Sequence, residues 1–191
     1  MLVPMVTAEL SADLTAADLV DALADPHRCF QAYQQLRRLG PAANAAARRG
    51  LRHTSAQVRE YCCLVLDRLD DSDDAAALIE ALDDPAERVR LAAVHALACQ
   101  RCSEGSWRPS AVSVLPRAIA LLAGDESAHV RAMAVELVGQ WVHSHPAACS
   151  AIERAAAADP ASAVRKKASR YAPGGTVYRR TRPRPHRLRP S

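Results

Sequence analysis

Aromatic residues are scarce in this chain of 191 residues: they make up 4% of it, with a single Phe. Sheet cores favour aromatic and β-branched side chains in alternating runs, and Val and Ile form no such runs here. Alanine, the strongest helix former, instead recurs in runs at residues 45–47, 75–77 and 155–158. The composition therefore predicts an all-α fold in which helices pack closely.

Long apolar runs are also missing. No stretch of about 18 uninterrupted apolar residues occurs, which argues against a transmembrane helix. The segment from Met1 to Val6 is a short apolar patch without a basic residue before it, which argues against a secretory signal. Six cysteines, two of them adjacent at Cys62 and Cys63, do not form the spaced framework of a small secreted scaffold. We expect a cytoplasmic protein with no membrane partner.

Acidic residues are absent from the C-terminal end. Up to Asp159 the chain has 15 Arg, no Lys and all 21 acidic residues, which gives a net charge of −6. From Pro160 onward it has 10 basic residues and no acidic one, which gives +10. A mildly acidic body therefore precedes a strongly basic end.

Motifs of common enzyme classes are lacking as well. The chain contains no nucleophile elbow, no phosphate-binding loop and no dinucleotide fingerprint, and none of its seven His is followed by Glu. We expect no catalytic activity, and we expect neither a metal nor another cofactor.

What the chain does contain is a repeat. Four segments carry a Val-Arg pair whose Arg follows an Asp by six residues, although His53 replaces the Asp in the first of them. The pairs are Val58-Arg59, Val89-Arg90, Val130-Arg131 and Val164-Arg165, and a degenerate copy that begins at Asp25 has Phe30-Gln31 in that place. The first residues of these pairs, at positions 30, 58, 89, 130 and 164, lie 28, 31, 41 and 34 residues apart. Such spacings are typical of helix-pair repeats with loops of variable length.

Each pair begins one face of a helix, because apolar or small residues return 3, 4, 7 and 8 residues later. A shorter apolar segment precedes each such helix. We therefore predict five helix pairs, each an A helix followed by a B helix. The predicted A helices are residues 16–23, 42–51, 75–82, 112–122 and 147–157.

The turns between A and B helices carry capping signals. Asp25, Asp84 and Asp159 are each followed by Pro, which predicts that the Asp caps the B helix and that the Pro starts it. The spacing of Asp84 to Glu87, and that of Thr54 to Gln57, predicts capping boxes. The longest interval between repeats places an insertion at residues 103–109.

The pattern of residues 84–97, Asp-Pro followed by Val-Arg, Ala-Ala and Ala-Leu, resembles the HEAT-like repeats first named from phycobilisome lyases. The resemblance covers residues 15–172. It implies an armadillo-like α-solenoid, a superhelix with its B helices on the concave side, and it does not imply lyase activity. We expect an N-terminal extension at 1–14, the solenoid at 15–172 and a basic Pro/Arg-rich tail at 173–191.

Two groups of residues invite a more specific interpretation. The spacing predicts that Arg59, Arg90, Arg131 and Arg165 stack in register and meet an Asp of their own or a neighbouring turn, a structural role. His95, Cys99 and Cys102 are spaced so that one helix face holds all three. Metal binding, redox activity and inert packing all fit these residues, and the absence of a second cysteine pair favours packing.

The tail alternates Arg with Pro and lacks the apolar surface needed to fold, so it is expected to be disordered. It suits attachment to nucleic acid or an acidic protein, or contact with the acidic residues 70–74 of the body, or solubility alone. The leading hypothesis for the whole chain is a protein-interaction scaffold, and the alternative is nucleic-acid binding through the tail. The candidate partner-binding residues are Glu60, Leu64, His95, Glu136, Gln140, Arg170, Arg179, Arg180, Arg182 and Arg184.

Overall fold

The computed structural model describes residues 14–68, 72–99 and 110–183. Within these ranges every regular element is a helix, which confirms the all-α prediction. Short 3-10 helices at Gly40–Ala43 and Leu66–Arg68 accompany the α-helices. The α-helices are α1 (Ala16–Ala22), α2 (Cys29–Leu39), α3 (Asn44–Gly50), α4 (Ala56–Val65), α5 (Ser72–Ala81), α6 (Glu87–Ala98), α7 (Ala111–Gly124), α8 (Ala128–Gly139), α9 (Pro146–Ala158), α10 (Ser162–Tyr171) and α11 (Thr176–Thr181).

The chain divides into two compact units, Met1–Ser110 and Ala111–Ser191. The first unit contains the pairs α1/α2, α3/α4 and α5/α6, and the second contains α7/α8 and α9/α10, followed by α11. Within each unit A helices pack on A helices and B helices on B helices: α1 on α3, α3 on α5, α2 on α4, α4 on α6, α7 on α9, and α8 on α10. These are the five predicted pairs, layered as in an α-solenoid.

The first residues of the Val-Arg pairs form the core beneath the B helices. Val58, Val89, Val130 and Val164 are all fully buried. Phe30, which the degenerate first copy placed in this position, is instead 62% exposed. That part of the alignment is wrong, because the buried residues of α2 are Ala32 and Leu36, on the other side of the helix from Phe30.

Small and polar residues set how closely the first unit packs. A Cβ added to Gly50 would clash with Sγ of Cys62 and lie 2.8 Å from a methyl group of Val20. Asp74, fully buried on α5, accepts a hydrogen bond of 2.6 Å from Nδ2 of Asn44 and pairs with Arg48, both on α3. Residues 70–74 were one place where the tail was expected to bind. Asp74 is not available for that contact, because Asn44 and Arg48 already bind its carboxylate.

The B helices start later than the sequence predicted. Glu87 is the first residue of α6, and Ser162 is the first of α10, three residues after Asp84 and Asp159 respectively. Each Asp carboxylate accepts the N–H two residues later, that of Ala86 or Ala161, at 2.8 Å. The predicted caps are therefore wrong, because these carboxylates close Asx turns before the helix begins.

Asp25 makes the same kind of turn, with the N–H of His27 at 2.9 Å, and the α2 cap position is Arg28. The predicted box of Thr54 and Gln57 is also wrong, since Nε2 of Gln57 donates to the carbonyl of Leu23 at 2.7 Å.

Residues 173–183 do not form the disordered segment that their composition predicted. Gly174 turns the chain with φ +82°, and Gly175 lies so close to the end of α10 that a Cβ there would clash with the carbonyl oxygens of Ser169 and Arg170. The chain then forms α11, which His143 holds in place. The ring centroids of His143 and Tyr178 are 4.3 Å apart, and Nε2 of His143 lies 3.0 Å from Oγ1 of Thr181. Arg184 and the rest of the tail, Cys102, Asp70, Asp71 and the insertion at 103–109 lie outside the described residues.

Candidate functional site on the second helices

The first unit gathers three of the chain's seven aromatic residues on the exposed side of α2 and α4: Phe30, Tyr33 and Tyr61, which we call the aromatic patch. The ring centroids of Tyr33 and Tyr61 lie 5.3 Å apart, with the rings tilted by 46°. Phe30 precedes Tyr33 by one turn, so both side chains leave the same side of α2. In a chain so poor in aromatic residues, their position on the surface rather than in the core indicates a contact surface.

Charged side chains surround the aromatic patch. The guanidinium of Arg37 lies 5.8 Å from the centroid of the Tyr33 ring. Oε2 of Glu60 lies 3.1 Å from Nε of Arg88, which links α4 to α6 across the surface.

The charges of Glu60 and Arg88 act on the hydroxyl of Tyr61. Its pKa is raised, first by burial, then by the hydrogen bond and charge of Cys29, whose Sγ lies 3.7 Å from the hydroxyl oxygen, and by the charge of Glu60, while Arg88 opposes the shift. Glu60 and Arg88 therefore border the aromatic patch.

Of the residues that the sequence proposed, Glu60 borders this patch. Leu64, half-buried, follows Tyr61 by three residues on α4, and His95, also half-buried, follows Arg88 by seven on α6. Helical spacing places each on the same side as its neighbour. The sequence interpretation missed the aromatic residues themselves. Their signal was the spacing of Phe30, Tyr33 and Arg37 at i, i+3 and i+7 on a helix whose core positions are elsewhere.

In the second unit, Tyr171 is the last residue of the B helix α10. Its ring lies against the backbone of α8 at Gly139, where an added Cβ would lie 2.7 Å from Cε1 of the ring. Burial raises the pKa of Tyr171, the charge of Glu136 raises it further, and Arg180 and Arg170 lower it. The charges of Glu136, Arg170 and Arg180, three of the predicted residues, thus all act on the hydroxyl of Tyr171.

The other predicted residues of the second unit lie nearby along the chain. Glu136 pairs with Nζ of Lys167 at 2.5 Å, and Gln140 is half-buried directly after Gly139. Arg179 and Arg182 are exposed, and Arg179 donates to the carbonyl of Gly174. Positive charge therefore predominates on this side of the second unit.

The arginines that recur in the repeat have a structural role. Arg59 and Arg131 each bind an Asp of a neighbouring turn, as predicted. Nε and Nη2 of Arg59 donate to the carboxylate of Asp84 in the next pair at 2.7 and 2.9 Å. Arg131 does the same to Asp159 at 2.8 and 3.0 Å. In both arginines Nη1 donates to two carbonyls of the arginine's own turn, at His53 and Thr54 or at Asp125 and Glu126.

The turn contacts recur in Arg90, which donates to the carbonyls of Asp84 and Pro85, and in Arg165, which donates to those of Asp159 and Pro160. The hydrogen bonds of Arg131 hold the pKa of Asp159 below its ordinary value. Burial by itself would raise the pKa of Asp84, but the hydrogen bonds from Arg59 and from the N–H of Ala86, together with the charges of Arg59 and Arg90, lower it below its ordinary value. Arg59 and Arg131 are thus neutralised in place and are poor candidates for binding phosphate.

In the described ranges 14–68, 72–99 and 110–183, no group of three or more His, Cys, Asp or Glu is arranged to hold a metal ion. Burial raises the pKa of Cys62 to about 12 and raises that of Cys63 as well. Those thiols pack as small apolar side chains. Across the same ranges, no helix has the length and apolar character needed to cross a membrane.

Comparison with known proteins gives the fold and no closer relationship. No family model matches the sequence, and no curated protein is significantly similar to it. Among solved structures, the complex of CpcE and CpcF of phycocyanin lyase from Nostoc sp. PCC7120 is similar, with a TM-score of 0.64 and 20% identity over 80% of this chain and 95% of that one. A designed armadillo repeat protein in complex with the peptide (KR)4 has a TM-score of 0.55 and 18% identity, over 82% of this chain and 80% of that one.

At such identities the likeness concerns architecture alone. It agrees with the five helix pairs and with the layering of A on A and B on B helices. The fold of this chain is therefore an α-solenoid of HEAT-like helix pairs.

Proposed function

We propose that this chain is a non-catalytic scaffold that binds another protein through the exposed side of its B helices. The observation that carries the proposal is the aromatic patch of the first unit. Aromatic and arginine side chains are enriched at the centres of protein interfaces, and here Phe30, Tyr33 and Tyr61 are accompanied by Arg37 and Arg88.

The patch offers enough apolar area to contribute to binding. A Phe side chain buries about 150–250 Å² when covered. At about 25 cal/mol per Å², covering the exposed 62% of Phe30 contributes about 2–4 kcal/mol. Tyr33 and Tyr61 are already packed on each other, so a partner meets a surface that needs little further ordering.

The fold is compatible with this role, since the two solved structures named above are complexes, one of CpcE and CpcF of phycocyanin lyase and one with a peptide. We include in the proposed contact surface the residues that the sequence indicated. They are Glu60, Leu64 and His95 in the first unit, and Glu136, Gln140, Arg170, Arg179, Arg180, Arg182 and Arg184 in the second.

The experiment is affinity capture from a lysate of the source organism with the full chain as bait, followed by mass spectrometry. The test variants are Phe30→Ser, which changes an exposed side chain, and Glu60→Arg, which changes a half-buried one, and neither residue belongs to the core. The matched control is Val112→Ser, because Val112 is 86% exposed on α7, away from the B helices. We expect one protein to be retained by the wild type and by the control at high salt, and to be lost with Phe30→Ser.

Two results would contradict the proposal. One is equal capture of every protein by the wild type and both test variants. The other is capture that disappears after nuclease treatment or at high salt, which is the behaviour of a protein that binds nucleic acid through its basic residues.

A further inference from the structure

Ion pairs between a repeat arginine and the Asp of the following helix pair leave one residue without such a partner at each end of the described repeats. In the interior, Arg59 and Arg131 each reach forward to the Asp of the following pair. Arg165 belongs to the last pair, and in the part of the chain that the structure describes no carboxylate pairs with it. Its Nη1 is already held by the carbonyls of Asp159 and Pro160, as Nη1 of Arg131 is held by its own turn. Its Nε and Nη2 are thus in the position from which Arg131 binds Asp159.

Asp25 is the counterpart at the other end. It lies in the turn between α1 and α2 of the first pair, and no arginine of an earlier described B helix reaches it. Its Oδ1 accepts the N–H of His27 in the same Asx turn that Asp84 and Asp159 make. In the described ranges no ion pair joins Asp25 to a basic side chain, and the residue is half-buried.

The surroundings of Asp25 suit a cation. An open hollow of about 570 Å³ beside it is lined by Asp18, Asp21 and Asp25, together with Leu14, Ala22, Ala24 and Arg28. Three carboxylates therefore face one guanidinium there, which leaves the hollow negative.

The two units carry opposite net charge. Residues 1–110 include 12 basic and 16 acidic residues, a net −4, whereas residues 111–191 include 13 basic and 5 acidic residues, a net +8. Between two copies, the second unit of one and the first unit of the other therefore attract each other.

We propose that the chain associates head to tail with a second copy of itself, Arg165 of one copy binding Asp25 of the other. The contact repeats the geometry that Arg131 and Asp159 make within the chain, with Nε and Nη2 on the two carboxylate oxygens. It is a heterologous contact, in which each copy uses a different surface. The described contacts of α11 are with His143 and the C-terminal part of α10, so they leave the turn of Arg165 open.

Sedimentation velocity of the full chain tests this, from low micromolar to several hundred micromolar protein, at low and at high salt. We expect concentration-dependent association that weakens with salt. Asp25→Arg or Arg165→Asp alone replaces an attraction with a repulsion, and each should weaken the self-association constant by about tenfold or more. The variant carrying both changes restores opposite charges at the contact and should recover to within about threefold of the wild type.

Matched controls reverse charges elsewhere: Arg154→Asp on α9 and Glu80→Arg on α5, both exposed residues. These should leave association unchanged, as should Phe30→Ser, so that failure here is separable from failure of the scaffold proposal. Circular dichroism confirms that each variant is folded. If a single variant is destabilised, an equimolar mixture of Asp25→Arg and Arg165→Asp still contains one wild-type contact and must show heterologous association.

A wild type that stays monomeric throughout overturns the proposal. So does association that neither single change weakens, or a double variant that remains as weak as the single ones.

Discussion

Single substitutions in the ion pair of Arg131 and Asp159 should lower the free energy of unfolding of the second unit more than substitutions elsewhere in it. The side chains of Arg131 and Asp159 are 9% and 4% exposed, and they share two hydrogen bonds. Asp159→Ala leaves the guanidinium buried with its turn carbonyls but without a counter-charge. Arg131→Met leaves the carboxylate buried with the N–H of Ala161 alone.

Removing one partner of a buried ion pair costs about 3–5 kcal/mol, because the remaining charge stays desolvated. We therefore expect each single change to lower the free energy of unfolding of the second unit by about 3–4 kcal/mol. The double variant has no buried charge left unpaired, so its loss should be smaller than the sum of the two by about 2 kcal/mol or more. The exposed pair of Glu60 and Arg88, 28% and 54% exposed, should contribute less than about 1 kcal/mol by the same cycle.

The assay is urea unfolding followed by tryptophan fluorescence. The chain has two tryptophans, so Trp107→Phe leaves Trp141, directly after α8, as a reporter of the second unit. Circular dichroism recorded in parallel follows both units, which need not unfold together. Single changes that cost less than about 1 kcal/mol, or costs that simply add, would refute the view that Arg131 and Asp159 depend on each other.

Three further predictions follow from buried groups. Arg131 lowers the pKa of Asp159, so the carboxylate stabilises the fold fully above pH 3.8, the ordinary pKa of an Asp, and progressively less as the pH falls toward the pKa in the folded protein. The difference in urea midpoint between wild type and Asp159→Asn should therefore shrink below pH 3.8. A difference that does not shrink would contradict the role given to Arg131. Gly50→Ala should destabilise the first unit by about 1–3 kcal/mol in thermal unfolding, whereas Gly124→Ala, with open space around its Cβ, should be neutral. Cys62 and Cys63 should resist iodoacetamide at pH 8 until the protein unfolds, and rapid labelling of either in the native state would show that its thiol is not buried.

Sequence periodicity predicted the fold because each helix pair buries equivalent positions against its neighbours. Val58 and Val130 are buried for the same reason, so each copy supported the interpretation of the others. The helix starts could not be predicted in the same way. Asp84 has the residue type and spacing of a cap, but its carboxylate binds an arginine 25 residues away in the chain, and that competing partner is not local.

The candidate surface was predicted less well. The sequence proposed Glu60, which borders the aromatic patch, but not the aromatic residues themselves. The repeat alignment put Phe30 at the position of the buried valines, although Phe30 is 62% exposed. The order of residues 173–183 was also missed. Composition predicts whether a segment can fold alone, whereas α11 depends on His143, about forty residues earlier and on another element.

The forward reach of each arginine bears on how such a chain changes length during evolution. Arg59 and Arg131 bind acceptors 25 and 28 residues further on, so the connection tolerates loops of different length between pairs. A duplicated or deleted segment that runs from the Asp of one turn to the residue before the Asp of the next turn contains one B helix and the following A helix, and it carries one acceptor and one donor with it. Gain or loss of such whole segments therefore keeps every buried charge matched, whereas recombination at other points strands a guanidinium or a carboxylate in the interior. Chains of this design are expected to vary in length by whole helix pairs.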